Sequence, residues 1–341
     1  MITKKFLNLL GSLSLTLLAL NACSSNQDSL TFNKTNSKSA NEQMLIEAEI
    51  QKNIWDSALA DKSRFKLNIN PNAEERALAA YCAKTVTNNL KRSEVFVHFL
   101  LSELKNNDLP IELVAIPLIE SGINPNVRAN NGAHGAWQYI RSTGKAVGLN
   151  RSHNYDELYD FVKSTQASVK YLKKMYKDLA NWELVVAAYN QGEYGIKKAR
   201  DAALAKGIKI KSADDIDIRL SRGARNYVKR FRAYADILKN PQKYNVSLPT
   251  IKNRPAFKRV KVADHIKSLT EVANLSGARI ETLRRLNAGY LSDKIDNHHG
   301  LLITVEHAEN LKKASNKEHK ATNATNYKYN AITIDNDEKK L

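Results

Sequence analysis

Apolar residues recur along most of this chain at intervals of three and four, the spacing of one helix face, and little of it alternates with a period of two. Helical patterns run over 43–60, 73–90 and 93–106. Asn107-Asp108-Leu109-Pro110 then reads as a helix start, with Asp108 a candidate N-cap and Pro110 tolerated in the first turn. Ile111, Val114, Ala115, Leu118 and Ile119 follow at helical spacing until Gly122 and Asn124-Pro125 end the run, which puts Glu120 at a helix C-terminus. An Asn- and Gly-rich loop is predicted over 124–135. Helices are predicted over 155–179, over 182–190 and over 223–240, where Val228, Phe231, Tyr234, Ala235 and Leu238 share one face.

Pro241, Pro249 and Pro255 mark a connector, and beyond it the pattern changes. A strand over 259–262, short helices over 270–275 and 280–287, and a strand over 301–305 give the order βααβ. The predicted fold class is therefore mainly α, a helical main domain followed by a small βααβ module. A polar, loosely ordered tail is expected over 313–341.

The first residues change the picture of where this protein works. Lys4 and Lys5 followed by an apolar run from Phe6 to Leu20 read as an export signal over 1–22, too short for a confident membrane span. Leu20-Asn21-Ala22-Cys23-Ser24 resembles the lipobox of bacterial lipoproteins, which implies lipidation of Cys23 and a membrane anchor. Ser24 rather than Asp after that cysteine implies, by resemblance to bacterial sorting rules, the outer membrane facing the periplasm. The Ser-, Asn- and Lys-rich stretch over 23–41 reads as a flexible tether, and 42–105 as an N-terminal helical region. With Cys23 lipidated, Cys82 has no disulfide partner, and its alanine-rich helical setting reads as a buried, inert thiol.

The formal net charge is +18, or +16 once Lys4 and Lys5 leave with the signal. Such a balance favours polyanions. For an exported lipoprotein these are peptidoglycan, whose peptides and muramic acids carry carboxylates, and anionic lipid; export disfavours nucleic acid. No motif for a phosphate or a metal is found, so no cofactor is expected, and His298-His299 reads as a surface turn.

Three motifs carry the chemistry: Ile119-Glu120-Ser121-Gly122, Gly135-Ala136-Trp137-Gln138-Tyr139 and Ala187-Ala188-Tyr189-Asn190-Gln191-Gly192. A carboxylate at the negative end of a helix dipole, behind an apolar face, is disfavoured as an anion, so Glu120 is a candidate acid; the bland alternative is a solvated Glu at a helix end. In order and spacing, with Pro117, Asn124-Pro125 and Ser142-Thr143-Gly144 as shared neighbours, the motifs resemble the goose-lysozyme-like soluble lytic transglycosylase family. Within it they are most similar to the membrane-bound lytic murein transglycosylase D group.

That resemblance implies a lysozyme-like catalytic domain over 106–245. It implies a reaction in which Glu120 protonates the β-1,4 oxygen between N-acetylmuramic acid and N-acetylglucosamine, then takes the proton of the muramic C6 hydroxyl as a 1,6-anhydro end forms. Ser121 and Gln138 are implied to meet the substrate or orient the carboxyl group. Tyr189 and Asn190 are implied at the cleft rim, and Tyr227, in Arg225-Asn226-Tyr227-Val228, at the position that reaches the catalytic Glu. Core packing remains an alternative for Tyr189 and Trp137. Ala136 departs from the usual Leu or Ile of the wider superfamily.

The module over 256–312 resembles a worn LysM unit, with Ala263-Asp264 where Gly-Asp is usual, and either binds glycan or packs on the catalytic domain. Two other functions stay open on the sequence. A lysozyme-type hydrolase would need a second acid, with Asp156, Glu157, Asp160, Glu183 and Glu193 the candidates; an inactive wall-binding lipoprotein would need none.

Overall fold

Short polar side chains mark where the helices begin. The computed structural model describes residues 52–323, with positions 42, 44, 45 and 48 before them. The export signal, Cys23, the tether and the last part of the tail lie outside the described residues. The chain divides into two units between Ala48 and Glu49, and the elements named below belong to the second.

Asn53 caps α1 (Ile54–Ala60), and its Oδ1 also accepts from Ile251 N at 3.1 Å. Asn72 and Glu75 form a reciprocal capping box on α2 (Ala73–Arg92). After α3 (Glu94–Asn106) the chain does not use Asp108 as a cap: Asp108 turns at φ 57, and Lys66 Nζ donates to its Oδ1 at 2.5 Å. A 3-10 turn, Ile111–Val114, leads into α4 (Ala115–Ser121). Asp160 starts α6 (Phe161–Leu179), later than the predicted 155, because 151–159 first forms a loop bridged at Arg151 and Asp156. Asn181 caps α7 (Trp182–Gln191) and Ser221 caps α9 (Arg222–Lys239). Between α4 and α6 lies the short α5 (Arg141–Ala146); α8 (Glu193–Leu204) follows α7 and was not predicted.

The central element is α9, which packs on α2, α4 and α7. Burial there includes Tyr227, Val228, Phe231, Tyr234, Ala235 and Leu238, one continuous face as the periodicity predicts. Cys82, on α2, is free and buried, and burial pushes its thiol pKa up, as fits an inert cysteine. No helix among the described residues is long and apolar enough to cross a membrane.

The C-terminal order is β1 (Phe257–Val260), α10 (Leu269–Ser276), α11 (Ile280–Leu286) and β2 (Leu301–Thr304). The strands pair antiparallel, Phe257 against Thr304 and Val260 against Leu301. The chain then continues as α12 (Val305–Asn323), so the segment expected to be loose from 313 is helical as far as 323. The module shares its interior with the main domain. Phe257 joins Phe96, Phe99 and Phe161 in an aromatic cluster. In the other direction Tyr155 enters the module's own core. Arg259 bonds the fully buried carboxylate of Asp160 at 3.0 Å, and the Tyr155 hydroxyl donates to the same oxygen at 2.5 Å. His298 and His299 lie in a turn, His298 exposed, while the His299 ring stacks on Tyr155 of the main domain with centroids 3.9 Å apart.

Candidate active site

Helix α4 ends because Gly122 takes the left-handed conformation, φ 65, with its N–H on Leu118 O at 3.1 Å and Ile123 N on Pro117 O at 2.9 Å. A Cβ at Gly122 would lie 2.6 Å from the Asn89 side chain, so α2 abuts this turn closely enough to favour glycine on two grounds. The turn leaves Glu120 partly buried at the helix end.

Among the described residues one side-chain hydrogen bond holds the Glu120 carboxyl group: the Tyr227 hydroxyl, from the first half of α9, donates to Oε1 at 2.7 Å. Burial raises the Glu120 pKa from 4.5 to about 7, against the lowering effects of the Tyr227 hydrogen bond and the charge of Arg230. The dominant cause is therefore desolvation. No second carboxylate contributes to the shift. Tyr139, Tyr189 and Tyr227 all have their pKa raised, burial being the largest cause in each, with the Glu120 charge a further one.

The other motif residues surround this group through backbone contacts. Ser121 Oγ donates to Ala136 O at 2.7 Å and accepts from Asn124 N at 3.0 Å, tying the end of α4 to the hairpin over 127–139. Gln138 sits at φ 50, its Nε2 donating to Gly135 O at 2.7 Å. Tyr189 donates to Trp137 O at 2.5 Å, and Tyr139 bonds Ser168 Oγ at 2.8 Å. Trp137 is fully buried with Nε1 on Thr165 Oγ1 at 3.0 Å, so of its two readings the core one holds. Asn190 is exposed on the last turn of α7.

Gly135 sets the hairpin's position. At φ +77 its missing Cβ would stand 1.9 Å from the backbone oxygen of Leu158, which has no freedom to retreat. Gly135→Ala is expected to cost roughly 3 kcal/mol or more, in the upper range of single substitutions, read as a lowered denaturation midpoint. An unchanged midpoint would show that the hairpin does not need this approach.

The acids named as possible second carboxylates are all engaged. Asp156 pairs with Arg141 at 2.8 Å, Glu157 with Lys163, Asp160 with Arg259, Glu183 with Arg232 at 2.6 Å and Glu193 with Lys174 at 2.6 Å. Among the described residues no group of three or more His, Cys, Asp or Glu is arranged to hold a metal ion. Sequence reasoning missed Arg230 and Tyr139 as neighbours of Glu120. Arg230 lies one turn beyond Tyr227 on α9, a spacing that shares a helix face and was available as a signal.

Residues 99–211 match the family model described as the transglycosylase SLT domain. Over 226 residues the chain is 32% identical to membrane-bound lytic murein transglycosylase D of Escherichia coli (strain K12), an alignment covering 65% of this chain and 49% of that protein. The chain thus spans about half the length of that relative. Over 109 residues it is 31% identical to a putative tributyltin chloride resistance protein of Alteromonas sp. (strain M-1), covering 32% of this chain and 53% of that one. Among solved structures, an inactive mutant of the lytic transglycosylase Slt of Pseudomonas aeruginosa gives a TM-score of 0.35 at 24% identity, covering 46% of this chain and 25% of that one.

Proposed function

We propose that this chain is a lytic transglycosylase that cleaves the β-1,4 bond between N-acetylmuramic acid and N-acetylglucosamine in peptidoglycan, leaving 1,6-anhydromuramic ends. The observation that carries the reading is the partly buried carboxyl group of Glu120 at the end of α4, its pKa raised by burial to about 7 with no carboxylate among the causes. With Tyr227 donating to Oε1, the acid proton resides on Oε2. That proton passes to the glycosidic oxygen as the C1–O bond breaks. The muramic C6 hydroxyl attacks C1 of its own ring and returns its proton to the Glu120 carboxylate, so the residue ends as it began. Intramolecular attack brings a large proximity advantage and needs no held water.

A two-carboxylate hydrolase is disfavoured because each acid that sequence reasoning offered is spent in an ion pair. An inactive binding protein has no use for a carboxyl group kept half-protonated at neutral pH. In the same reading Ser121 and Gln138 shape the substrate cleft, Tyr189 and Asn190 form its rim, and the βααβ segment is a LysM-like module. The lipobox-like sequence supports a lipid on Cys23 and a place on the outer membrane facing the periplasm.

The pH profile tests the acid role. With a pKa of about 7, turnover of purified sacculi is expected to fall roughly tenfold per pH unit once the pH is well above 7, as the proton-donating form is lost. A rate flat to pH 9 would remove Glu120 as the proton donor.

A further inference from the structure

The hairpin that carries Gln138 also carries Arg128 and His134, which bridge each other antiparallel. Around them opens a pocket of about 300 Å³, lined by the three arginines Arg128, Arg141 and Arg151, with His134 and Tyr159 beside them. Leu291, from the C-terminal module, lines another side of it. That side is fixed by backbone bonds from Leu291 N to Asn154 O at 2.9 Å and from Asp156 N to Gly289 O at 2.8 Å.

The charges in this pocket do not cancel. Asp156, buried to 1% exposure, is its one lining carboxylate and grips Arg141 at two points. Arg128 and Arg151 have no ion pair among the described residues, so two positive charges remain. His134 does not consume them: its Nδ1 is 2.8 Å from the Tyr159 hydroxyl, and burial together with the three guanidinium charges, opposed by Asp156, pushes its pKa down and so disfavours the charged ring. The site therefore offers two planar cations without an ion pair beside a wall whose own charges, Arg141 and Asp156, are matched. Guanidinium forks match a carboxylate bidentately, which a hydrated ammonium does not.

We propose that this pocket binds a free carboxylate of the peptides carried by the muramic acids of peptidoglycan, so that the enzyme distinguishes glycan with peptide stems from bare glycan. The inference rests on the transglycosylase reading for its ligand. It rests on the pocket alone for its chemistry. The pocket is too small for a disaccharide with its substituents but suits the end of one short acidic side chain, and the shared hairpin couples it to the loop bearing Gln138.

The test uses the full chain titrated with a soluble stem peptide bearing free carboxylates, its amidated counterpart, and inorganic phosphate. Amidation is expected to weaken binding about tenfold, and so is the double variant Arg128→Gln with Arg151→Gln, each about 1.4 kcal/mol. The ratio of kcat/KM on peptide-bearing strands to that on peptide-stripped strands is expected to fall about tenfold in the same variant. Peptide binding indifferent to amidation or to both substitutions overturns the proposal, and so does phosphate binding where the acid peptide does not bind. A wild type that binds the peptide in this way but cleaves neither kind of strand would support the pocket and overturn the transglycosylase reading.

Discussion

Glu120→Gln is expected to lower peptidoglycan turnover at least about a hundredfold, the lower end of general acid–base contributions, while the protein stays folded. The substitution keeps size and keeps an oxygen for the Tyr227 hydroxyl to reach, but it removes the one group that can give and then take a proton. A second signature follows from the raised pKa. Between 4.5 and about 7 the native state holds a proton that the unfolded chain has released, so the Glu120 contribution to stability falls as pH rises through that window and is at its least favourable above it. Gln carries no such penalty. The melting temperature of the variant relative to wild type should therefore climb from pH 4.5 to about 7 and then level. An active variant would contradict the proton-transfer role, and a melting difference flat with pH would contradict the burial of the charge.

Arg232→Met is expected to destabilise the fold by about 3–5 kcal/mol, the cost of leaving buried carboxylates without their cation. The Arg232 side chain is 9% exposed and reaches three acids at once, Glu183, Glu75 and, at 3.0 Å, Asp214. Its Nε and Nη2 reach the two oxygens of Glu183 on α7, at 2.9 and 2.6 Å, and Nη1 reaches Glu75 on α2 at 3.0 Å. Glu75 is also half of the α2 capping box, and Glu183 accepts the Ala213 N–H at 2.9 Å, so neither can swing out to water without further loss. Arg232 thereby ties α9, which carries Tyr227, to α7, which carries Tyr189. Thermal denaturation should show a fall on the order of 10 °C, and adding Glu183→Gln should recover part of it. A fall of only a degree or two would mean that water already compensates these charges.

Much of this arrangement is legible in the order of residues, and what is not has physical causes. The apolar face of α9 and the end of α4 at Gly122 follow from spacing and from the one residue that accepts a left-handed turn. The rise in the Glu120 pKa is expected from the apolar face before it and from the helix dipole; its largest cause is burial, whose extent depends on packing between helices distant in sequence. Asp108 misleads for a similar reason: a distant Lys66 captures the carboxylate that local rules assign to a cap. The separation at 256 is marked by prolines, whereas Phe257, Arg259 and Tyr155 cross it in packing. The arginine pocket collects residues from 128 to 291, a set that no sequence window contains.

The most direct measurement of the proposed reaction is the mass of the products from purified sacculi digested by the wild-type enzyme. Because the muramic C6 hydroxyl replaces water at C1, the released muropeptides should be lighter by one water than hydrolytic products and should lack reducing muramic ends. Products bearing only reducing ends, with no anhydro form, would make this chain a hydrolase and contradict the single-carboxylate mechanism.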